Sequence, residues 1–220
     1  MEYIPNKEII AKRIARIFKS GEVVNLGIGL PTMVEKYIPQ DINIILQSEN
    51  GIIGLGPAPS KGSEDRDITD AGGAPASIRK GGSFFDSAVS FSIIRGGHVD
   101  YTVLGVLEVD QDGNLANYKV PGKMVPGMGG AMDLTIGARV VIAATLHFLP
   151  SGASRLKRHC TLPLTAVHQV NIIVTDLGLF HVMGGRFHLT ECFTPYTPEW
   201  ILERTDADII VKTDCRIVTI

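Results

Sequence analysis

The chain has 220 residues, of which 45% are hydrophobic and 20% are charged, so it can bury a substantial core as one domain with at most a small appendage. Its formal net charge of −2 gives no basic excess, which argues against nucleic acid as a partner. Cys160, Cys192 and Cys215 are far apart and include no C-x-x-C pair, so we expect neither a disulfide framework nor a zinc site.

Neither a leader nor a membrane span is predicted. Residues 1–21 interleave charged and apolar side chains, unlike a signal peptide. The longest apolar run, residues 140–149, is too short to cross a bilayer. We therefore expect a soluble, cytoplasmic protein with no membrane partner.

The first part of the chain alternates between strand and helix patterns. Apolar residues at helical spacing predict a helix over residues 7–19. A strand over residues 23–26, a glycine turn at 27–29 and a helical segment at 32–37 follow, and a second buried strand is predicted over 42–46. This order predicts an α/β fold with an open, largely parallel sheet and flanking helices, which binds ligands at the carboxyl ends of its strands.

The middle of the chain is less regular. Residues 54–83 combine glycine, proline and aspartate with weak periodicity, which predicts a long functional loop. A helix is expected over 86–94, a strand over 101–107 and a hairpin over 110–123, and a glycine-rich loop at 127–130 opens into a helix. Further strands are predicted over residues 140–144, 171–175, 179–182, 186–190 and 209–211, with a helix over 198–204.

The tetrapeptide Ser48-Glu49-Asn50-Gly51 places a carboxylate in a sharp turn directly after an apolar strand. Asn-Gly is common in turns and a glutamate beside it is often only solvated, so the motif alone is weak. Two glycine loops, residues 27–29 and 127–130, belong to the same α/β pattern. Backbone amides in such loops can approach a ligand and stabilise an oxyanion, which favours Glu49 as a catalytic carboxylate.

Other chemistries find less support. The Gly27-Ile28-Gly29 turn lacks the third glycine of a dinucleotide fingerprint, because position 32 is Thr, and the phosphate-loop motif is absent. His147 and His168 have no carboxylate or cysteine at ligand spacing, so no metal is expected. His98 follows two glycines and is assigned a structural role.

Residues 46–54, Leu-Gln-Ser-Glu-Asn-Gly-Ile-Ile-Gly, resemble the active-site signature of the family I 3-oxoacid CoA-transferases, in the beta subunit or its fused equivalent. Further blocks are similar to motifs of that family in the same order: residues 25–32, 85–87, 94–98, 120–124, 127–134 and 160–165. The resemblance covers roughly residues 8–192. It implies the CoA-transferase (NagB/RpiA-like) fold, with residues 1–220 as a single beta-subunit domain.

The resemblance implies a covalent role for Glu49. The glutamate attacks the acyl-CoA carbonyl, and a glutamyl-CoA thioester forms through an acyl-glutamyl anhydride before CoA passes to an acceptor acid. Coenzyme A is then a substrate and covalent intermediate, and no cofactor is permanently bound. Gly129, Gly130 and Ala131 are implied to stabilise the developing charge, with Gly130 foremost.

Four residues are expected to support the nucleophile. By resemblance Asn25 approaches the Glu49 loop, although an asparagine satisfied locally in a turn is an open alternative. Ser48 and Asn50 can fix the turn through side-chain to backbone bonds, and Gly51 belongs to the same support. The family pairs such a chain with an alpha subunit that completes the active site and much of the CoA site.

The substrate is less defined than the reaction. Many members that use succinyl-CoA carry a lysine where this chain has Gly73, and a lysine could pair with the second carboxylate of succinate. Gly73 therefore favours monocarboxylic partners, as in transfer between acetate or butyrate and acetoacetate. Two alternatives stay open: an acyl-CoA hydrolase that uses the same glutamate, and a non-catalytic ligand-sensing subunit of the same fold.

Overall fold

A computed structural model describes residues 2–122 and 127–220 of the chain. The helices are α1 (Lys7–Ala15), a 3₁₀ helix (Leu30–Tyr37), α2 (Ser87–Arg95), α3 (Ala131–Gly137) and α4 (Pro198–Leu202). The strands are β1 (Val23–Leu26), β2 (Ile45–Ser48), β3 (Ile52–Gly56), β4 (Ser77–Phe84), β5 (Tyr101–Gly105), β6 (Glu108–Asp110), β7 (Leu115–Ala116), β8 (Val140–Ala144), β9 (Leu156–Lys157), β10 (Ile172–Val174), β11 (Gly178–Met183), β12 (Arg186–Phe193) and β13 (Ile209–Val218).

Within the described residues, ten strands form one sheet in the order β13-β12-β11-β10-β8-β5-β1-β2-β3-β4. Its centre, from β10 through β8, β5 and β1 to β2, is parallel throughout. The β12–β13 pair is parallel too, whereas β3, β4 and β11 add antiparallel neighbours. The prediction of an α/β fold with a largely parallel sheet and flanking helices is confirmed.

The sheet is buried on both faces. In β5, Val103 packs into a core cluster with α1 and the 3₁₀ helix, while the next residue, Leu104, packs into a second cluster with α2 and α3. Strands covered on both sides carry continuous apolar runs, because successive side chains point to opposite faces. That is why the central strands could be predicted from short apolar segments.

A smaller three-stranded sheet, β7-β6-β9, lies beside the main one in the described part of the chain. The β6–β7 pair corresponds to the hairpin predicted over residues 110–123, although it begins and ends earlier. The Glu108 carboxylate accepts hydrogen bonds from the backbone of Thr161 and Leu162, at 2.7 and 3.0 Å, which fixes the 160–165 motif. In the described structure, the 160–165 motif therefore has a structural role, because it is held against β6.

Two predictions about regular structure were wrong in extent. Helix α1 ends at Ala15 rather than at residue 19. Residues 54–83 are not one loop, because β3 and β4 pair antiparallel at the sheet edge and leave residues 57–76 between them. The backbones approach so closely that a Cβ on Gly54 would lie 2.8 Å from the Gly82 Cα, and glycine-rich pairs of this kind carry little periodicity.

Other outcomes concern the ends of the chain and its motifs. Strand β13 extends to Val218, well beyond the predicted residues 209–211. In the 120–124 motif, Lys123 and Met124 lie outside the described residues. Over residues 2–122 and 127–220, none of the helices combines the length and apolar character needed to cross a membrane.

Candidate active site

Glu49 lies in the tight turn between β2 and β3, at the carboxyl end of a parallel strand. The Gly51 amide closes the turn by donating to the Ser48 carbonyl at 3.0 Å. Gly51 has a φ of +119°, and a Cβ there would lie 2.1 Å from the Phe85 carbonyl oxygen. Only glycine fits this position, so the turn that carries Glu49 has one backbone shape.

The residues on either side of Glu49 attach the turn to a neighbouring loop. Ser48 Oγ accepts a hydrogen bond from the Ala71 amide at 3.0 Å. Asn50 Nδ2 donates to the Thr69 carbonyl at 2.7 Å. Both side chains therefore hold the turn against residues 69–71, and the Glu49 carboxylate between them is half-buried.

Asn25 reaches Glu49 from the neighbouring strand. Its side-chain Nδ2 lies 3.3 Å from Glu49 Oε2, and it also donates to the carbonyl and Oε1 of Gln47 at 3.2 and 2.8 Å. Asn25 is 1% exposed and pairs with Gln47 in the β1–β2 register. The alternative of an asparagine satisfied locally in a turn does not fit, because Asn25 lies within β1 and contacts Glu49.

The second glycine loop packs directly against the Glu49 side chain. A Cβ on Gly130 would lie 3.2 Å from Glu49 Cγ, and one on Gly129 would lie 3.9 Å from Glu49 Oε1. The amide of Ala131 donates to the Met128 carbonyl at 3.3 Å, within its own turn. The structure thus brings two of the three residues expected to stabilise charge into contact range, and turns the third one's amide into the loop.

A cavity of about 340 Å³ opens beside Glu49. Its wall is built from the β1–3₁₀ connection, β2, β3 and the loop of residues 70–76, and is mostly apolar side chains and glycine. Besides Glu49, the charged residues of the wall are Glu35, Lys36 and Asp70. Burial raises the pKa of Glu35, and Asp70 raises it further against an opposing effect of Arg79.

Sequence reasoning missed three residues of this region. Gln47 is a polar side chain in a strand that is otherwise apolar, a signal that could have singled it out. Asp70 Oδ1 accepts from the amides of Gly72 and Ala74 at 2.8 and 2.9 Å, as in an Asx turn, and so shapes the cavity loop. Glu35 has no such local signal, because only the fold brings it to the cavity.

The remaining candidate histidines lie elsewhere. His147 is completely buried, with its ring nitrogens 3.1 Å from Thr175 Oγ1 and 2.8 Å from Thr205 Oγ1, and burial lowers its pKa to about 3. His98 is exposed after α2, and His168 Nδ1 lies 2.8 Å from the Asp112 carbonyl. In the described part of the chain, no group of three or more His, Cys, Asp or Glu side chains is arranged to hold a metal ion.

Known proteins resemble this chain in sequence over most of its length. A family model described as Coenzyme A transferase matches residues 7–201. The chain is 54% identical over 208 residues to acetate CoA-transferase subunit beta of Haemophilus influenzae, covering 94% of this chain and 93% of that one. It is 46% identical over 203 residues to one subunit of a probable succinyl-CoA:3-ketoacid coenzyme A transferase of Bacillus subtilis, covering 92% and 94%.

A solved structure supports the fold. The acyl-CoA transferase (YdiF) apoenzyme of Escherichia coli O157:H7 superposes with a TM-score of 0.74 at 21% identity. The match covers 99% of this chain and 44% of that one, so this chain spans less than half of that protein. The predicted CoA-transferase fold is confirmed.

Proposed function

The chain belongs to the coenzyme A transferase family, and from this premise we propose that it is the beta subunit of a transferase that moves CoA between a short-chain acyl-CoA and a 3-oxo acid of the acetoacetate type. The observation that carries the proposal is the convergence on Glu49 of Asn25 from β1 and of the Gly129–Gly130 loop. A carboxylate is a weak nucleophile toward a thioester and must be held in near-attack geometry. The turn, constrained at Gly51, and the hydrogen bond from Asn25 hold the Glu49 carboxylate in place.

The reaction proceeds through two covalent forms of Glu49. Its carboxylate oxygen bonds to the acyl carbonyl carbon of acyl-CoA, the carbon–sulfur bond breaks, and CoA leaves as a thiolate from an acyl-glutamyl anhydride. The thiolate then attacks the glutamyl carbonyl, releasing the donor acid as a carboxylate and forming a glutamyl-CoA thioester. The acceptor carboxylate reverses both steps, so the reaction balances without ATP or a metal and the thioester is conserved.

The first step places negative charge on the acyl carbonyl oxygen beside Glu49, and the second places it on the carbonyl oxygen of Glu49 itself. The loop amides of Gly129 and Gly130 are assigned to that charge, with Gly130 first because it lies nearest the Glu49 side chain. Loss of one such donor lowers the rate by roughly 10²- to 10³-fold in other enzymes. Ala131 is a weaker candidate, because its amide already donates to Met128.

The cavity supports a short monocarboxylic acid as substrate. At about 340 Å³ it lies near the lower end of the size range of ligand pockets. A second carboxylate on the substrate would be repelled by the negative charges of Glu35 and Asp70 in the cavity wall. Lys36, the one lysine among the described residues of the wall, does not balance both of them. Gly73 has open space around it and supplies no cation. These features favour acetate-like acids over succinate.

The named relatives are single subunits of CoA-transferases, and the Haemophilus influenzae protein is a beta subunit. We propose an alpha subunit as the partner that completes the site. Acyl-CoA and short carboxylic acids are then the small-molecule partners, and coenzyme A is the substrate. We assign the assembly to the cytoplasm. Residues 1–220 serve as a single beta-subunit domain.

Covalent trapping tests the proposal. The chain is copurified with its alpha partner and incubated with acetoacetyl-CoA, and mass spectrometry should find CoA on the peptide that contains Glu49. Glu49→Gln should abolish both the adduct and CoA exchange, whereas Glu64→Gln, which changes an exposed carboxylate, should alter neither. Normal exchange by Glu49→Gln would refute the proposal, and release of free CoA without transfer to any acid would identify a hydrolase.

A panel of acceptor acids then tests the substrate class. Acetate and butyrate should accept CoA efficiently, and succinate should be a poor acceptor. Glu35→Gln should raise the kcat/KM for succinate relative to acetate, since it removes one like charge from the cavity wall. Efficient transfer to succinate by the unaltered enzyme would contradict the assignment to monocarboxylic acids.

A further inference from the structure

A line of buried polar side chains runs from α2 to the nucleophile. Ser90, Gln47 and Asn25 are 0%, 3% and 1% exposed. Gln47 Nε2 donates to Ser90 Oγ at 3.2 Å, Asn25 Nδ2 donates to Gln47 Oε1 at 2.8 Å, and the same Nδ2 lies 3.3 Å from Glu49 Oε2. Of the residues in this line, the reaction proposed above assigns roles to Asn25 and Glu49 and leaves Gln47 and Ser90 without one.

The orientation of each amide follows from its neighbours. The Gln47 carbonyl and the Glu49 carboxylate can only accept hydrogen bonds, so the Asn25 amide must point its Nδ2 toward them. Gln47 must then turn its Oε1 to Asn25, which leaves its Nε2 for Ser90. Ser90 Oγ accepts the hydrogen bond that Gln47 Nε2 offers in this orientation, and so holds the outer end of the Gln47 side chain in place.

Ser90 is itself held in a fixed place. It lies in the first turn of α2, and its amide donates to the Asp86 carbonyl at 3.0 Å. The Asp86 side chain caps the helix by accepting from the Val89 amide at 2.9 Å. The Phe85 amide donates to the Gly51 carbonyl at 3.0 Å, so the start of α2 is tied to the turn that carries Glu49.

We infer that Gln47 and Ser90 are positioning residues that orient the Glu49 carboxylate through Asn25, an inference that rests on the function proposed above. Without the Ser90 hydroxyl, the buried Gln47 Nε2 loses its acceptor and the Gln47 side chain is held only through its Oε1. Asn25 then loses a fixed partner, and the position of its Nδ2 relative to Glu49 Oε2 varies more widely. The fraction of enzyme in near-attack geometry would fall.

A purely structural role predicts a different outcome. Buried hydrogen bonds that serve only the fold would change stability when removed and leave the turnover of the folded enzyme unchanged. They would also act independently of one another in turnover. Residues that act through one series of hydrogen bonds should instead show strong coupling between their effects on kcat, because breaking either bond frees the same Gln47 amide.

A double-mutant cycle on the complex with the alpha subunit separates the two roles. Ser90→Ala should lower kcat about 3- to 10-fold and Gln47→Met about 10-fold, with KM for acyl-CoA unchanged. The double variant should be no slower than Gln47→Met alone. Ser92→Ala is the matched control and should leave kcat unchanged, because the hydroxyl of this exposed serine of the same helix donates to the Ala88 carbonyl of that helix.

The outcomes distinguish the inference from the proposed function. Unchanged kcat in Ser90→Ala, or losses that simply multiply in the double variant, would overturn the positioning role while the unaltered enzyme still transfers CoA. Absence of transfer by the unaltered enzyme would overturn the proposed function, and the inference would fall with it. If Gln47→Met does not fold, Ser90→Ala decides alone, since it removes only one hydroxyl.

Discussion

Two polar clusters lie at the same edge of the central parallel strands. The cluster around the proposed nucleophile, called the nucleophile cluster, consists of Asn25, Gln47, Glu49 and Ser90 and is built around the ends of β1 and β2. The histidine cluster, Tyr3, His147, Thr175, Asp176 and Thr205, is built around the residues that follow β8 and β10. Position at the carboxyl ends of strands is thus common to both, and it does not by itself identify a reactive site.

The clusters differ in how completely their hydrogen bonds are made. Asp176 accepts from the Tyr3 hydroxyl and from the amides of Asn6 and His147, at 2.7, 3.1 and 2.9 Å. In the nucleophile cluster, Asn25 Oδ1 is buried and has no hydrogen-bond partner among the described residues. An unmade buried bond costs about 1–3 kcal/mol. Asp176 and its three donors therefore stabilise the fold, whereas Asn25 Oδ1, unpaired in the described part of the chain, costs it stability.

The largest effect is expected on stability, from a substitution in the histidine cluster. Asp176→Ala would leave three donors without their acceptor, and we expect the free energy of unfolding to fall by about 3 kcal/mol. CoA transfer per folded complex should stay close to normal. Urea denaturation with assays on the folded fraction measures both, with Asp41→Ala as an exposed control. A large loss of kcat without loss of stability would show that this cluster, too, serves the reaction.

The next effect falls on the nucleophile cluster. Gly130 has a φ of −80°, which alanine adopts freely, so Gly130→Ala should leave stability unchanged. Its new Cβ would press on Glu49 Cγ, and kcat should drop by about 100-fold, equivalent to about 2.7 kcal/mol. Steady-state kinetics and thermal denaturation test this pair of results. Gly105→Ala is the control, since its Cβ would make only ordinary contacts at 3.8 Å or more.

A pH titration examines the histidine cluster from another side. Because burial lowers the pKa of His147 to about 3, the unfolded chain binds a proton near pH 6.5 that the folded chain does not. Stability should therefore fall as the pH drops below 6.5, by about 2 kcal/mol between pH 7 and pH 5 from this residue. In His147→Gln this loss of stability should be absent when denaturation is measured from pH 7 to pH 5. An equal loss in the variant would show that His147 is not its source.

The smallest effect concerns the wall of the cavity. Burial raises the pKa of Glu35, so its ionised form destabilises the fold, and this penalty grows as the pH rises through the folded-state pKa. Glu35→Gln should raise the melting temperature at pH 7 by about 1–3 °C and by less at pH 5. A lower melting temperature at pH 7 would show that Glu35 stabilises the fold instead of serving the cavity.

Much of the fold could be predicted because its central strands are short apolar runs separated by glycine turns and amphipathic helices. The convergence of Asn25 and Gly130 on Glu49 followed from the resemblance, and their contacts agree with it. The roles of these residues, the domain assignment and the cellular location stay predictions. The β3–β4 hairpin was missed because its close backbone pairing depends on glycines that leave no periodic pattern.

The Gln47–Ser90 contact could not have been predicted for a different reason. The two residues are 43 positions apart, and their side chains meet only when α2 packs against β2. Local patterns describe which residues are buried but not which buried polar atoms face each other. Glu35 illustrates the same limit, since its elevated pKa arises from neighbours that the fold assembles.

The attachment of the Glu49 turn to Thr69 and Ala71 has an evolutionary consequence. Asn50 and Ser48 hydrogen-bond to the loop at Thr69 and Ala71. Residues 57–68 precede these two attachment points in the chain. The length and sequence of that stretch can therefore vary without moving Glu49, since such changes leave both hydrogen bonds in place. Ala58 of this stretch lines the cavity, so exchanging these residues could reshape the cavity wall while the turn that carries Glu49 is kept.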